Sequence, residues 1–264
     1  MNNQEEKFIK VYPNSETASL YVAGRIASLI VKKSELGQKT VLGLATGATP
    51  KLVYKELIRL HQYEGLSFKS VVTFNLDEYY PMQAVDEQSY RSFMNVNLFN
   101  HVDMPSENIH IPDGTLNLEA VQAHCALYEK KIQDFGGLDL QLLGIGRTGH
   151  IGFNEPGSLV HSTTRLVHLN DLTISDAIAD FGGKEHVPSQ AITMGVKTIT
   201  QAKEIILLAL SQRKADIIQQ ALEGGISSHI PASFLQQFKN VEYVLDQEAA
   251  SQLATNYCSA VTNP

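Results

Sequence analysis

Residues 138–156 read LDLQLLGIGRTGHIGFNEP, an apolar run that breaks into a glycine-rich loop carrying His150 and Glu155. The run 138–145 is short and rich in leucine and isoleucine, which predicts a strand buried on both faces. Strands of that kind belong to parallel sheets, and the loops leaving their carboxyl ends are where α/β enzymes place their chemistry. Gly, Asn and Pro following His150 rule out an ordinary helix, so the imidazole and the carboxylate share a loop. A carboxylate bonded to one ring nitrogen fixes the tautomer and leaves the other nitrogen to move a proton. A lone histidine is more often structural, and that is the reading for the other histidines of the chain. Partner and setting single out His150.

Outward from this strand the same alternation continues in both directions. Strands are expected at 8–12, 40–45, 70–76, 165–169, 191–194, 204–210 and 241–245, with a short edge strand at 108–112. Helices are expected at 16–35, 50–61, 88–101, 118–135, 171–181 and 213–223. The pattern predicts a single-domain, three-layer, Rossmann-like α/β fold over 1–264: a mostly parallel sheet with helices on both faces. No repeat, low-complexity tract or linker divides the chain.

A length of 264 residues with 43% apolar content suffices for a sizeable core. Residues 1–7 are polar and charged, unlike a secretory signal, and the longest clean apolar run, 205–210, is too short to cross a bilayer. Cys125 and Cys258 have no metal-like spacing and fit reduced thiols. A soluble, cytoplasmic protein is expected, without membrane contact. A net charge of −7 excludes a broad nucleic-acid surface. It leaves room for a small anion held by local amides and one lysine.

Further segments carry chemistry. LATGATP at 44–50 joins a strand to a helix, with Thr49 expected as N-cap and Pro50 at the first helical position. Gly47 and Ala48 leave the backbone N–H groups uncrowded, so the turn either seats an anion or is a tight βα connection that binds nothing. No Gly-Lys-Ser/Thr follows, so it is not a Walker A loop. FNLDEYY at 74–80 places Asp77 and Glu78 just after a strand. A carboxylate in a cleft wall can act as a general base on a carbon acid, although most loop acids are merely solvated. Gly144, Gly146 and Gly149 satisfy G-x-G-x-x-G, but the motif lies mid-chain and no helix can follow it, so a dinucleotide fold is rejected. Lys214, at a helix start, is placed to reach a phosphate or to be solvated.

Taken together these segments resemble the glucosamine-6-phosphate deaminase (isomerase) family. LATGATPKLVY, FNLDEYY, QSYRSFMNVNLF, LGIGRTGHIGFNEPGS, TRLV, AITMGVKTI and PASFLQ follow in collinear order over nearly the whole chain. The related 6-phosphogluconolactonases share the fold but carry GHTASLFP-like text where this chain has GHIGFNEP. The resemblance implies aldose–ketose isomerisation of an amino sugar phosphate coupled to loss of ammonia, with no metal and no cofactor. It implies Asp77 as the base working on carbon, His150 held by Glu155 as the ring-opening group, and Thr46–Thr49 with Lys214 as the phosphate clamp. General acid–base steps of this kind contribute roughly 10²–10⁴-fold each.

Departures from the family pattern are informative. Thr148 stands where many members have Asp or Asn, making it an uncertain ring-opening position. A lid-like segment is expected at about 158–183, with Gly182 and Gly183 as hinge. Ala179 occupies the lid position where members often carry a phosphate-binding arginine, leaving Arg213 or Lys184 as substitutes. Arg165 matches one basic side chain of an allosteric pocket found in the family, but Val167 stands in place of the other, so no such activation is expected. The galacto epimer as substrate, a non-catalytic sugar-phosphate sensor and a lactonase remain as alternatives, the last disfavoured by GFNEP. Monomer and homo-oligomer are both compatible with the sequence.

Overall fold

The computed structural model describes residues 8–254, and segment 1–7 and Cys258 lie outside the described residues. Along the chain, β1 (Phe8–Tyr12) leads to α1 (Ser15–Glu35), β2 (Thr40–Leu44), α2 (Lys51–Glu64), β3 (Val71–Asn75) and β4 (Asp77–Tyr80). Then come α3 (Tyr90–Asn97), β5 (Ile109–His110), α4 (Leu118–Asp134) and β6 (Leu140–Leu143). The rest comprises β7 (Arg165–His168), α5 (Asp171–Phe181), β8 (Gln190–Thr193), α6 (Val196–Thr200), β9 (Glu204–Ala209), α7 (Ala215–Glu223) and β10 (Val241–Asp246).

Seven strands form one sheet in the order β1-β10-β9-β6-β2-β3-β5. Every neighbouring pair runs parallel. Side chains alternate along a strand, so a run apolar at every position must be covered on both faces. Ile205 and Leu207 of β9 pack on one face with Ile217 and Leu222 of α7 and Ile132 of α4. Ile206 and Leu208 pack on the other face, with Ile26 of α1 and Leu57 of α2. The parallel α/β architecture read from the sequence is the one observed.

Strand order reverses between β2 and β6. From β2 the chain builds outward to β3 and β5, and from β6 to β9 and β10. The loops that follow β2 and β6 therefore leave adjacent strands and splay apart, which opens a crevice at this switch point.

Segments 165–169 and 191–194, expected within the parallel sheet, instead pair antiparallel with β4 in a separate three-stranded sheet, β4-β8-β7. The chain crosses between sheets at Leu76, whose N–H donates to Leu44 C=O while its own C=O accepts from Met194 N–H. Asp77 and Glu78 are thus the first residues of a strand rather than loop residues. Thr49 is not the N-cap of α2. Pro50 holds that position with helical φ −80, and no side chain caps the helix. Pro50 C=O accepts the first helical bond, from Tyr54 N–H, so α2 begins at Lys51, one residue later than a cap at Thr49 would place it. The helix expected at 88–101 is α3, capped by Ser89, followed by a 3₁₀ turn at Phe99–His101. Lys214 closes the 3₁₀ turn Gln212–Lys214 ahead of α7. Among the described residues no helix is long and apolar enough to cross a membrane.

Candidate active site

The loop after β2 supplies one wall of the crevice. Gly47 takes φ 90, a left-handed conformation that glycine adopts without strain. Gly47 and Ala48 are exposed, and the first N–H groups of α2 meet no capping side chain. Uncapped amides at the positive end of a helix attract an anion. Lys214 donates to Ile145 C=O at 2.7 Å. Burial holds its pKa below the usual lysine value; Asp176 works against that shift and Arg147 adds to it. Arg147, overlooked in the sequence although it lies in the loop after β6, pairs with Asp176 of α5 at 2.7 Å. Arg213 and Lys184 are exposed. The guanidinium felt by Lys214 is that of Arg147.

The loop after β6 folds back on itself. Gly146 N–H donates to His150 C=O at 2.9 Å and Gly149 N–H donates to Gly146 C=O at 3.1 Å. This tight turn lays the imidazole over Gly146, where a Cβ would stand 2.0 Å from Nε2. Asn154 locks the far end by donating to Ile151 C=O and Met194 C=O, each at 2.8 Å. Arg165 donates to Asn154 Oδ1 at 2.9 Å and to Ser158 at 3.1 Å, clasping the same turn.

His150, Thr148 and Glu155 form one hydrogen-bonded group. Thr148 Oγ1 lies 2.9 Å from His150 Nδ1 and 3.2 Å from Glu155 Oε2. His150 Nδ1 is also 3.3 Å from that carboxylate oxygen. A hydroxyl has one proton to give, and the carboxylate can only accept. Thr148 therefore donates to Glu155 and accepts from Nδ1–H, which leaves Nε2 as the basic nitrogen. Burial acts to raise the Glu155 pKa, but the bond to His150, the imidazole charge and the Thr173 hydroxyl outweigh it, and the net shift is downward. Thr173 of α5 donates to Glu155 Oε1 at 2.5 Å. Neither Thr173 nor its role was legible in the sequence.

Asp77 is 5% exposed. Burial first, and then the neighbouring Glu78 charge, hold its pKa well above the carboxylate range, with nothing hydrogen-bonded to oppose them. Gly152 makes room for it: a Cβ there would stand 3.2 Å from Asp77 Oδ2 and 2.9 Å from Thr193 Oγ1. Glu78, next on the strand, points to the other face and accepts from the N–H groups of Tyr79, Tyr90 and Arg91. Burial pushes Glu78 up to about 7 against those bonds.

Aromatic side chains join the parts. Tyr90 hydrogen-bonds through its phenol with Thr46 and Tyr79 and lies in the field of Asp77. Its ring stacks on Phe153 at 5.9 Å and 8°, while Tyr79 meets Phe181 of α5 edge-on at 5.1 Å. A cavity of about 460 Å³ opens between the loop after β2 and α5, lined by Gly47, Ala48, Tyr79, Tyr90 and Phe181 among others. The structure thus sets the 46–49 loop, Asp77, the Thr148–Glu155 loop and Lys214 after the neighbouring strands β2, β3, β6 and β9, with Thr148, His150 and Glu155 in direct contact. Among the described residues no group of three or more His, Cys, Asp or Glu could hold a metal ion.

Residues 13–244 match the family described as glucosamine-6-phosphate isomerases/6-phosphogluconolactonase. The chain belongs to this family. A glucosamine-6-phosphate deaminase of Clostridium botulinum (strain Langeland) is 46% identical over 245 residues, 93% of this chain and 98% of that protein. The corresponding protein of the Hall strain is 44% identical over the same shares of the two chains. Among solved structures, a monomeric glucosamine-6-phosphate deaminase superposes with a TM-score of 0.88 at 42% identity, covering 94% of this chain and all (100%) of that one. The 6-phosphogluconolactonase of Trypanosoma brucei superposes with a TM-score of 0.76 at 21% identity, covering 94% of this chain and 99% of its own, a likeness of fold.

Proposed function

We propose that the chain is a glucosamine-6-phosphate deaminase, converting glucosamine 6-phosphate and water to fructose 6-phosphate and ammonia. One observation carries the reading: a buried carboxylate, Asp77, follows β3 and an imidazole whose Nδ1 proton is pinned follows β6, both at the carboxyl end of the parallel sheet. The first is suited to take a proton from carbon, the second to move one between oxygens. The named relatives support the same substrate class.

The phosphate sits on the 46–49 amides and Lys214, with Arg147 in reach. His150 Nε2 takes the proton of the anomeric hydroxyl and delivers it to the ring oxygen as the C1–O5 bond breaks. Asp77 then removes the proton at C2 while O1 takes a proton from the C2 ammonium, giving an enolamine, and returns its own proton to C1. The resulting C2 imine adds water, and the carbinolamine expels ammonia to leave the ketose. Segment 158–183 acts as a lid, with α5 over the bound sugar. Gly182 and Gly183, at φ 70 and 158, form its hinge.

Ammonia release from glucosamine 6-phosphate and galactosamine 6-phosphate, measured in parallel with Asp77→Asn as control, tests the proposal. Turnover of the gluco sugar that dies in the variant is expected. Turnover of the galacto sugar alone moves the substrate assignment. Silence with both, while sugar phosphate still binds, overturns the enzymatic reading.

A further inference from the structure

The strand that carries Asp77 has a second face. Glu78 helps line a separate cavity of about 770 Å³, bounded also by Arg91, His110, Asp113 and Lys131. The cations of this cavity are not all used. Lys130 pairs with Asp134 at 2.6 Å, whereas Arg91 and Lys131 form no ion pair among the described residues. His110 Nε2 is buried and has no hydrogen-bond partner. The ring is surrounded by positive charge: burial, followed by Lys131, Arg91 and Lys39, holds its pKa down to about 4. A neutral imidazole with an unused nitrogen therefore faces unpaired cations. At the rim, Asp113 Oδ1 accepts from the N–H and hydroxyl of Thr115 at 2.9 and 2.7 Å, which leaves Oδ2 able to accept from a ligand hydroxyl.

An unpaired guanidinium and ammonium on one cavity suit a dianion, and a carboxylate acceptor beside them suits the hydroxyl of its organic body. We propose that this cavity is a binding site for a small hydroxylated phosphate monoester, distinct from the catalytic crevice. The phosphate lies between Arg91 and Lys131, and Asp113 accepts from a hydroxyl. The site does not depend on the deaminase reading, since none of these side chains belongs to the crevice.

Calorimetric titration of the full chain with glycerol 3-phosphate tests the proposal, run on the wild type, Lys214→Ala, Arg91→Ala/Lys131→Ala and Lys130→Ala. Binding that survives Lys214→Ala and Lys130→Ala, and weakens about tenfold or more in the double variant, is expected. Circular dichroism melts establish that each variant is folded. Loss of all binding in Lys214→Ala would place every phosphate in the crevice and overturn the proposal. So would binding indifferent to Arg91 and Lys131. Inorganic phosphate is run alongside; equal affinity for it would overturn the ester assignment.

Discussion

The Thr148 hydroxyl lies 2.9 Å from Nδ1 of His150. It relays that nitrogen to Glu155 through a neutral group, where a carboxylate in its place would put a second negative charge beside the imidazole. Thr148→Val keeps the volume and removes the relay. A fall in kcat of about tenfold, the worth of one hydrogen bond, is expected with KM little changed. Thr148→Asn restores a donor and acceptor and recovers most of the rate. Steady-state kinetics on the two variants decide it, and a rise in KM alone would assign Thr148 to binding.

Asp77 must be ionised to accept a proton. Because its pKa is held up by burial and by Glu78, the acid limb of the kcat/KM profile falls above the ordinary carboxylate range. Asp77→Asn removes the base and costs at least about 10²-fold. A pH–rate profile with its acid limb near 4 would contradict this.

Glu78 tests the same burial through stability. Its folded pKa, about 7, exceeds the unfolded value, so its contribution is fully present below about 4.3 and is lost as pH rises through 7. Glu78→Gln, which keeps an acceptor for the amides of α3, flattens this part of the melting-temperature curve between pH 4.5 and about 7.

Asp139 behaves in the opposite sense. It is 5% exposed and accepts from Lys33, Lys203 and the N–H of Val41. Burial would raise its pKa, but the lysine bonds win and lower it. Its contribution is present above the unfolded carboxylate pKa and fades as pH falls through the lower folded value. Asp139→Ala leaves Lys33 half-buried without a partner and costs about 3 kcal/mol in chemical denaturation.

Gly146→Ala separates catalysis from folding. The added methyl occupies the space of the His150 ring, which must swing away, while the backbone needs no special conformation there. Activity falls steeply with little change in melting temperature. Gly152→Ala, at φ 56 and against Thr193, loses activity and also stability, by about 1–2 kcal/mol.

The parallel sheet was legible because β6 and β9 are apolar at every position but Gln141 and Glu204, as expected of strands buried on both faces. The small sheet was not. β4, β7 and β8 pair antiparallel across long sequence separations, and nothing local in DEYY or RLVH states that the chain changes sheets at Leu76. In the crevice, Asp77, His150 and Glu155 could be singled out because ionisable groups after apolar strands are conspicuous. Arg147, Tyr90 and Thr173 could not, since their meaning comes from partners on other elements: Asp176, Thr46 and Glu155. Thr49 shows the limit of a local rule, where a proline already in helical geometry displaced the expected cap.

The crevice exists only because β2 and β6 lie side by side, Leu42 opposite Leu140. The 46–49 loop and Asp77 are synthesised long before the 148–155 loop. A chain growing from its amino end therefore carries the 46–49 loop and Asp77 before either the 148–155 loop or β8, the strand partner of β4, exists. Recovery of turnover during refolding is thus a clock for the joining of the two halves of the sheet, and it will lag behind any signal from the first half alone.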